Sequence, residues 1–437
     1  MATLAGFPYF EFEVDRQGTP VDQAARKQAL EFAVAGETSD IVLMSHGRNN
    51  DMEDARELYR NFFTAFRKQL TDDGSASLAR KFIILAVLWP SKKFTDEELI
   101  PGGAASAGSP ITGALLHKKV ADLKGVFDHP DADKILAKVN KLIPQLQNSQ
   151  AARQQFADLV RELPLDKTGN AEDASDRLFK LTGAELMDLL AKPVMPPPIK
   201  RAGGGAADLG VSPGGAAGLG KVFSGVESAA RNLLNFTTYY QMKERAGLVG
   251  KTAVHDLVRE ILTKAPKVKV HLVGHSFGAR LVTSAALGPD GQPPLKFSSM
   301  TLLQAAFSHN GFAQKFDGKK DGFFRRVVSE GRISGPIAIT FTVNDKAVGL
   351  AYPLASLIAG QNAAALGDAN DPFGGLGRNG AQHTPEATTL KLPALGAANT
   401  FVAGKLHNLN SDSVITGHSD ICKPEVVRVL MSAIEKT

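Results

Sequence analysis

The stretch KVKVHLVGHSFGARLV, residues 267–282, holds the side chains best placed to do chemistry. Its alternating apolar run ends in Gly274-His275-Ser276-Phe277-Gly278, and a helix-like run follows at once. A nucleophilic serine needs its hydroxyl lifted clear of the backbone and aimed at a pocket. A tight strand-to-helix turn does this when the residues two positions away are small, as Gly274 and Gly278 are. A helix starting at Phe277 also points its positive end at the site, which favours developing negative charge. The chemistry in prospect is attack of a hydroxyl on an acyl carbon. The plain alternative is a glycine-rich packing turn, and these five residues alone do not separate the two.

Other motifs fare worse. In GLVGKT, residues 247–252, the first glycine of a phosphate loop would fall at Arg245, and no strand precedes it. GAAGLGKV, residues 215–222, ends in Val222 where a metal-binding hydroxyl is needed. Gly375, Gly377 and Gly380 have dinucleotide-loop spacing but no strand before them. DHPDAD, residues 128–133, reads as a helix start, and no His/Cys/Asp/Glu cluster has convincing zinc spacing. Neither a metal nor an organic cofactor is therefore expected. Cys422 lies close to His418, so a thiol nucleophile is one reading and a packed thiol before a helix is the better one.

The elements that must position Ser276 come from the apolar pattern. Residues 8–14 alternate as a first strand, 23–34 read as a helix, and 40–47 are a buried strand ending in a glycine turn. Residues 51–70 form an amphipathic helix and 81–89 another buried strand, stopped by Pro90. Alternating strands and helices predict a parallel sheet with helices on both faces. From 93 to 223 no good strand is visible, but Ile135, Leu136, Val139, Leu142 and Ile143 recur at helical spacing, as do Phe156, Leu159, Val160 and Leu163. A catalytic domain over 1–92 and 225–437 is expected, with a helical insertion over 93–224 that ends in a Gly/Pro-rich linker at 193–222. Helix resumes near Val226, with a break at 247–250, and runs to about 262. Strands follow at 268–273, 297–307 and 336–345, then a long Gly/Ala-rich loop over 360–399, then a last helix from Lys423 with Pro424 in its first turn.

The bulk numbers set bounds. The chain has 437 residues, 43% hydrophobic and 22% charged, with a net charge of +5. That composition can bury a sizeable core. No basic run or aromatic-interleaved basic patch is present, which argues against nucleic-acid binding. A single cysteine allows no intramolecular disulfide. The N-terminus lacks the pattern of a secretory signal, and no apolar run reaches the length of a membrane span. The cytoplasm is the expected location, with export by a signal-independent route left open.

In Gly274-His275-Ser276-Phe277-Gly278, Ser45-His46-Gly47, Asp345 and His418 the chain resembles the α/β-hydrolase superfamily, its lipase and esterase branch in particular. The resemblance covers roughly residues 5–92 and 225–435. It implies a mostly parallel central sheet; the 93–224 insertion lies outside the resemblance and is expected as a cap over the carboxyl edge of that sheet, with a partner-binding or oligomer surface as the alternative. The resemblance also implies the order serine, acid, histidine. His418, in a loop directly before the last helix, is then the base, preferred over His309, His383 and His407. Asp345, closing the strand ITFTVND, is the acid. Asp412, not at a strand end, is its rival, while Asp317 and Asp321 lie in a charged loop. The oxyanion hole is assigned to the N–H groups of Phe277 and Arg48, with Gly47 giving the backbone room and His46 ordering the turn. His275 is read as a turn residue.

The expected function is hydrolysis of a carboxylic ester, lipid esters included, through a Ser276-His418-Asp345 triad and an acyl-enzyme. The substrate would be a small-molecule acyl ester, with peripheral lipid contact compatible. Thioesterases, peptidases and acyltransferases use the same triad, so the sequence does not separate them, and a non-catalytic scaffold of the same fold is the remaining alternative. The natural substrate, acyl length, oligomeric state and the insertion's role are not legible.

Overall fold

The long apolar runs are strands because each lies inside a sheet covered on both faces, where no alternation with polar residues is required. The computed structural model describes residues 2–47, 52–72, 79–91, 113–192, 225–345, 347–348, 358–359, 371–397 and 400–437. Nine strands form one sheet: β1 (Thr3–Leu4), β2 (Phe7–Glu13), β3 (Asp40–Ser45), β4 (Phe82–Leu88), β5 (Lys269–His275), β6 (Ser299–Leu303), β7 (Ile337–Phe341), β8 (Ala387–Lys391) and β9 (Leu406–Asn410). Their order is β1-β2-β4-β3-β5-β6-β7-β9-β8. Every pairing is parallel except β1 with β2. The protein is thus of the α/β class.

The described helices are α1 (Gln23–Val34), α2 (Met52–Asp72), α3 (Gly113–Asp122), α4 (Ala132–Leu142), α5 (Gln150–Glu162), α6 (Ser175–Lys180), α7 (Gly183–Leu190), α8 (Val226–Val249), α9 (His255–Lys264), α10 (Phe277–Leu287), α11 (Arg325–Ser329), α12 (Leu376–Asn379) and α13 (Pro424–Glu435). On one face of the sheet, Tyr59, Phe62, Phe63 and Phe66 of α2 join Val427, Leu430 and Ile434 of α13 over Val42, Met44, Ile84, Ala86, Val273 and Leu409. Ile41, Leu43, Ile83 and Leu85 alternate with these and so point to the opposite face. There α10 packs on β3 and β5; its buried Leu281, Val282 and Ala285 take no part in the first cluster.

The chain divides into two compact units. The first comprises residues 1–93, 242–348 and 375–437 and contains the sheet. The second comprises 94–241 and 349–374. Its described segment 113–192 is helical with no strand, and Ile135, Leu136, Val139, Phe156, Val160 and Leu163 are among its buried side chains. The unit border thus falls inside α8, at 241/242, instead of at 224/225. The linker at 193–222 lies outside the described residues.

Three expectations need correction. The helix does not break at Gly247–Gly250: a π turn over Gly250–Val254 carries α8 into α9. Glycine is needed there for closeness, because a Cβ on Gly250 would lie 2.0 Å from the Leu281 carbonyl oxygen of α10. The 360–399 loop contains α12 and β8 in its described part. β8 is almost wholly exposed, so pairing with β9, not burial, makes it a strand. β9 itself, LHNLN, carries too few apolar residues in sequence to announce a buried strand. Among the described residues no helix is long and apolar enough to cross a membrane.

Candidate active site

Ser276 sits between the last residue of β5 and the first of α10, at φ 57° and ψ −123°. A side chain is held in such a conformation only where its surroundings leave no alternative. Three backbone hydrogen bonds do this: the Ser276 N–H donates to Leu303 O (3.1 Å), and its carbonyl accepts from Ala279 N (3.1 Å) and Ala306 N (3.0 Å). The exit of β6 therefore grips the serine from both sides. That exit is itself fixed, with Gln304 at φ 40° and its Oε1 accepting the Thr340 hydroxyl at 2.9 Å.

Both flanking glycines are required by space. A Cβ on Gly274 would lie 2.4 Å from Ala279 Cα, and one on Gly278 would lie 2.1 Å from Ser45 O and 2.4 Å from His46 O. The start of α10 is thus pressed against the end of β3, which brings the Ser45-His46-Gly47 turn to the serine. A Cβ on Gly47 would meet Ser276 Cβ at 2.7 Å. Arg48, the expected second oxyanion donor, lies outside the described residues. Phe277, the expected first donor, opens α10 and is buried.

His46 orders this turn through a closed network. Its N–H donates to the Tyr59 hydroxyl (2.9 Å), which in turn donates to Val87 O (2.5 Å). Its carbonyl accepts from Trp89 Nε1 (3.1 Å), and its Nε2 accepts from the Trp89 backbone N–H (3.3 Å). Its Nδ1 then carries the proton and donates to Gly47 O at 2.8 Å. The ring stacks on Trp89 at 5.7 Å, and burial pushes its pKa down to about 4, the Gly47 carbonyl pulling the other way. Tyr59 and Trp89 carry no motif in the sequence that marks them for this role. The only hint was the single Trp of the chain standing at the end of an apolar strand.

The structure brings Asp345 and His418 together. His418 Nδ1 lies 2.8 Å from Asp345 Oδ2, and both side chains are buried. The other oxygen, Oδ1, accepts the Val348 N–H at 2.9 Å. Arg378 Nη1 donates to Val343 O at 2.6 Å and steadies the same turn. Asp412 bonds elsewhere: its Oδ1 accepts the Thr342 hydroxyl and Val343 N–H, and its carbonyl accepts Asn344 Nδ2 at 3.1 Å. It does follow a strand, contrary to the sequence reading, since β9 ends at Asn410. Across the site, His275 Nε2 donates to the His418 carbonyl at 2.9 Å, with the two rings 4.9 Å apart. Burial first, then the neighbouring His418, pushes the His275 pKa down to about 3.

The remaining candidates are occupied locally. His309 Nδ1 meets Asn379 at 3.1 Å, and His383 Nδ1 meets Asn310 at 2.9 Å. His407 lies on β9 and contacts Thr388 and Val402. Asp317 accepts the N–H groups of Lys319 and Lys320 within its own turn, and Asp321 accepts that of Lys315. The Cys422 thiol is half-buried, and burial pushes its pKa up to about 11, so a reactive thiolate is disfavoured. The GLVGKT segment is helix and π turn, not a phosphate loop. Gly215 to Val222 lie outside the described residues. Among the described residues no group of three His, Cys, Asp or Glu side chains could hold a metal ion.

No family model matches the chain, and no curated protein or solved structure matches it.

Proposed function

We propose that the protein is a serine hydrolase of the α/β-hydrolase kind that cleaves a carboxylic ester. The observation that carries the reading is the pairing of a serine held at φ 57° with a buried Asp345–His418 hydrogen bond, joined through His275. In this reading Ser276 Oγ attacks the acyl carbonyl while His418 Nε2 takes its proton. Asp345 keeps the other ring proton on Nδ1 and stabilises the imidazolium. The negative charge that develops on the carbonyl oxygen is met by the Phe277 N–H and by the positive end of α10, with Arg48 the second donor that the resemblance implies. The intermediate collapses as His418 returns the proton to the leaving alcohol. Water, deprotonated by the same imidazole, then attacks the acyl-serine and frees the acid and Ser276. Each step uses the chain's own groups and water.

A fluorophosphonate probe tests the reading. It should label the native protein at Ser276, and Ser276→Ala should abolish labelling. Absence of labelling, or labelling that survives the substitution, overturns the proposal in favour of a non-catalytic scaffold. Rates on oxygen esters, thioesters and peptides of matched acyl groups then fix the leaving-group class, since thioesterase, peptidase and acyltransferase share every step but the partner of the acyl group.

A further inference from the structure

We infer that His275, the residue before the nucleophile, is a positioning residue that holds the backbone of the general base His418 from the nucleophile's own turn. The inference rests on the serine-hydrolase reading above. Asp345 fixes the His418 ring at Nδ1, but a ring held at one nitrogen can still swing with its loop. His275 supplies the second point of attachment: its Nε2 lies 2.9 Å from the His418 carbonyl oxygen. A carbonyl only accepts, so Nε2 carries the proton. Base and nucleophile are thereby tied across a single residue, because His275 is the last residue of β5 and Ser276 follows it.

Three properties of the position explain why histidine suits it. The ring is buried among the rings and backbone of the site, 4.9 Å from that of His418. It must stay neutral there, since a cation at that distance would oppose protonation of the base. Its burial secures this, and its pKa of about 3 agrees. Lysine or arginine would donate the same bond but bring the charge. The ring also extends far enough from the strand to reach the carbonyl, which serine or threonine would not. Nδ1 has no hydrogen-bond partner among the described residues, and it faces the backbone of Gly47, whose Cβ would lie 3.2 Å away. A buried acceptor without a partner is a cost. A purely space-filling residue at this position would avoid that cost, so the Nε2 bond is the gain that offsets it.

The test compares His275→Gln, whose amide N–H reaches nearly where Nε2 does, with His275→Leu, which fills similar space without a donor. Turnover of p-nitrophenyl butyrate is measured together with fluorophosphonate labelling and urea denaturation. His275→Leu should lower kcat by about 10- to 100-fold with KM within about twofold, the scale expected when a catalytic group is misplaced by about 1 Å. His275→Gln should restore kcat to within about threefold of the native protein. Equal kcat in His275→Leu and the native protein overturns the inference, as does equal loss in both variants. In parallel, nitrogen NMR of the histidine-labelled native protein should show His275 neutral and protonated at Nε2 at pH 7. A proton on Nδ1 overturns the inference without reference to activity. Failure of the native protein to label overturns the hydrolase reading instead, and the NMR result separates that case from failure of the tether.

Discussion

Asp412 accepts the Thr342 hydroxyl, the Val343 N–H and Asn410 Nδ2, and thereby builds the turn that presents Asp345. Exchanging each carboxylate for its amide separates the two roles. Asp345→Asn should lower turnover by about 10³–10⁴, because the imidazole loses the partner that fixes its tautomer. Asp412→Asn should cost about 1–3 kcal/mol of stability through its lost charge-assisted bonds, with turnover down less than about tenfold. Turnover and urea midpoints measured on both variants check this. A larger catalytic loss in Asp412→Asn would reverse the assignment.

The conformation of Ser276 predicts a trade of stability against activity. Only glycine occupies φ 57°, ψ −123° without strain. Ser276→Gly should therefore be more stable than Ser276→Ala by about 1–2 kcal/mol while both are inert to a fluorophosphonate. Thermal or urea unfolding of the two variants decides it, and a less stable glycine variant would mean an unstrained turn.

Space around the turn leads to a third expectation. Gly278→Ala would force a methyl to within 2.1 Å of Ser45 O, where only backbone can yield. A loss of about 3 kcal/mol or more is expected, at or beyond the upper range for overpacking. Gly47→Ala would press on Ser276 Cβ, 2.7 Å from the new methyl, and should act on labelling rate more than on stability.

Stability should fall as pH drops below neutrality. Burial is the leading cause that lowers the pKa of His255, His271 and His407, as well as of His46 to about 4 and His275 to about 3. In the unfolded chain each takes a proton near pH 6.5. Above that pH both states are neutral and no term arises. Between about 6.5 and the folded value only the unfolded chain is protonated, so each histidine removes about 1.4 kcal/mol per pH unit. Urea midpoints from pH 7 to 4.5 should decline steadily. His46→Gln, which has no proton to gain, should reduce the slope by one proton, and an unchanged slope would contradict the burial of a neutral imidazole.

Much of this architecture is written in local sequence, for a physical reason. β4 is buried on both faces and its sequence is an unbroken apolar run, as is β3 between its polar ends, while buried β5 is interrupted by His271, which bonds Ser299 and Asp40. β8 and β9 are not of that kind: ATTLK is exposed at the sheet edge, and LHNLN buries polar side chains that bond across the fold, such as Asn408 with Ala381. At the site, Gly274 and Gly278 were legible because closeness of backbone demands glycine regardless of what approaches. Asp345 is preferred over Asp412 in the sequence only by the resemblance, since each ends a strand-turn segment and the direction of its carboxylate in space is what distinguishes them. The same holds for His275, Tyr59 and Trp89, whose partners are distant in the chain. The glycines at 247–250 misled because glycine marks close packing as well as helix ends.

The strand order has a consequence for synthesis on the ribosome. β3 lies between β4, its near neighbour in the chain, and β5, which begins at Lys269. At roughly 5–20 residues per second, some tens of seconds or less separate emergence of β3 from that of β5. During that interval β2, β4 and β3 can assemble, but one edge of β3 has no partner and its apolar faces lack α10. The nascent chain thus carries an open, sticky strand edge while the second unit is still being made. Covering of that β3 edge and emergence of the Ser276 turn are then one event, because β5 supplies both.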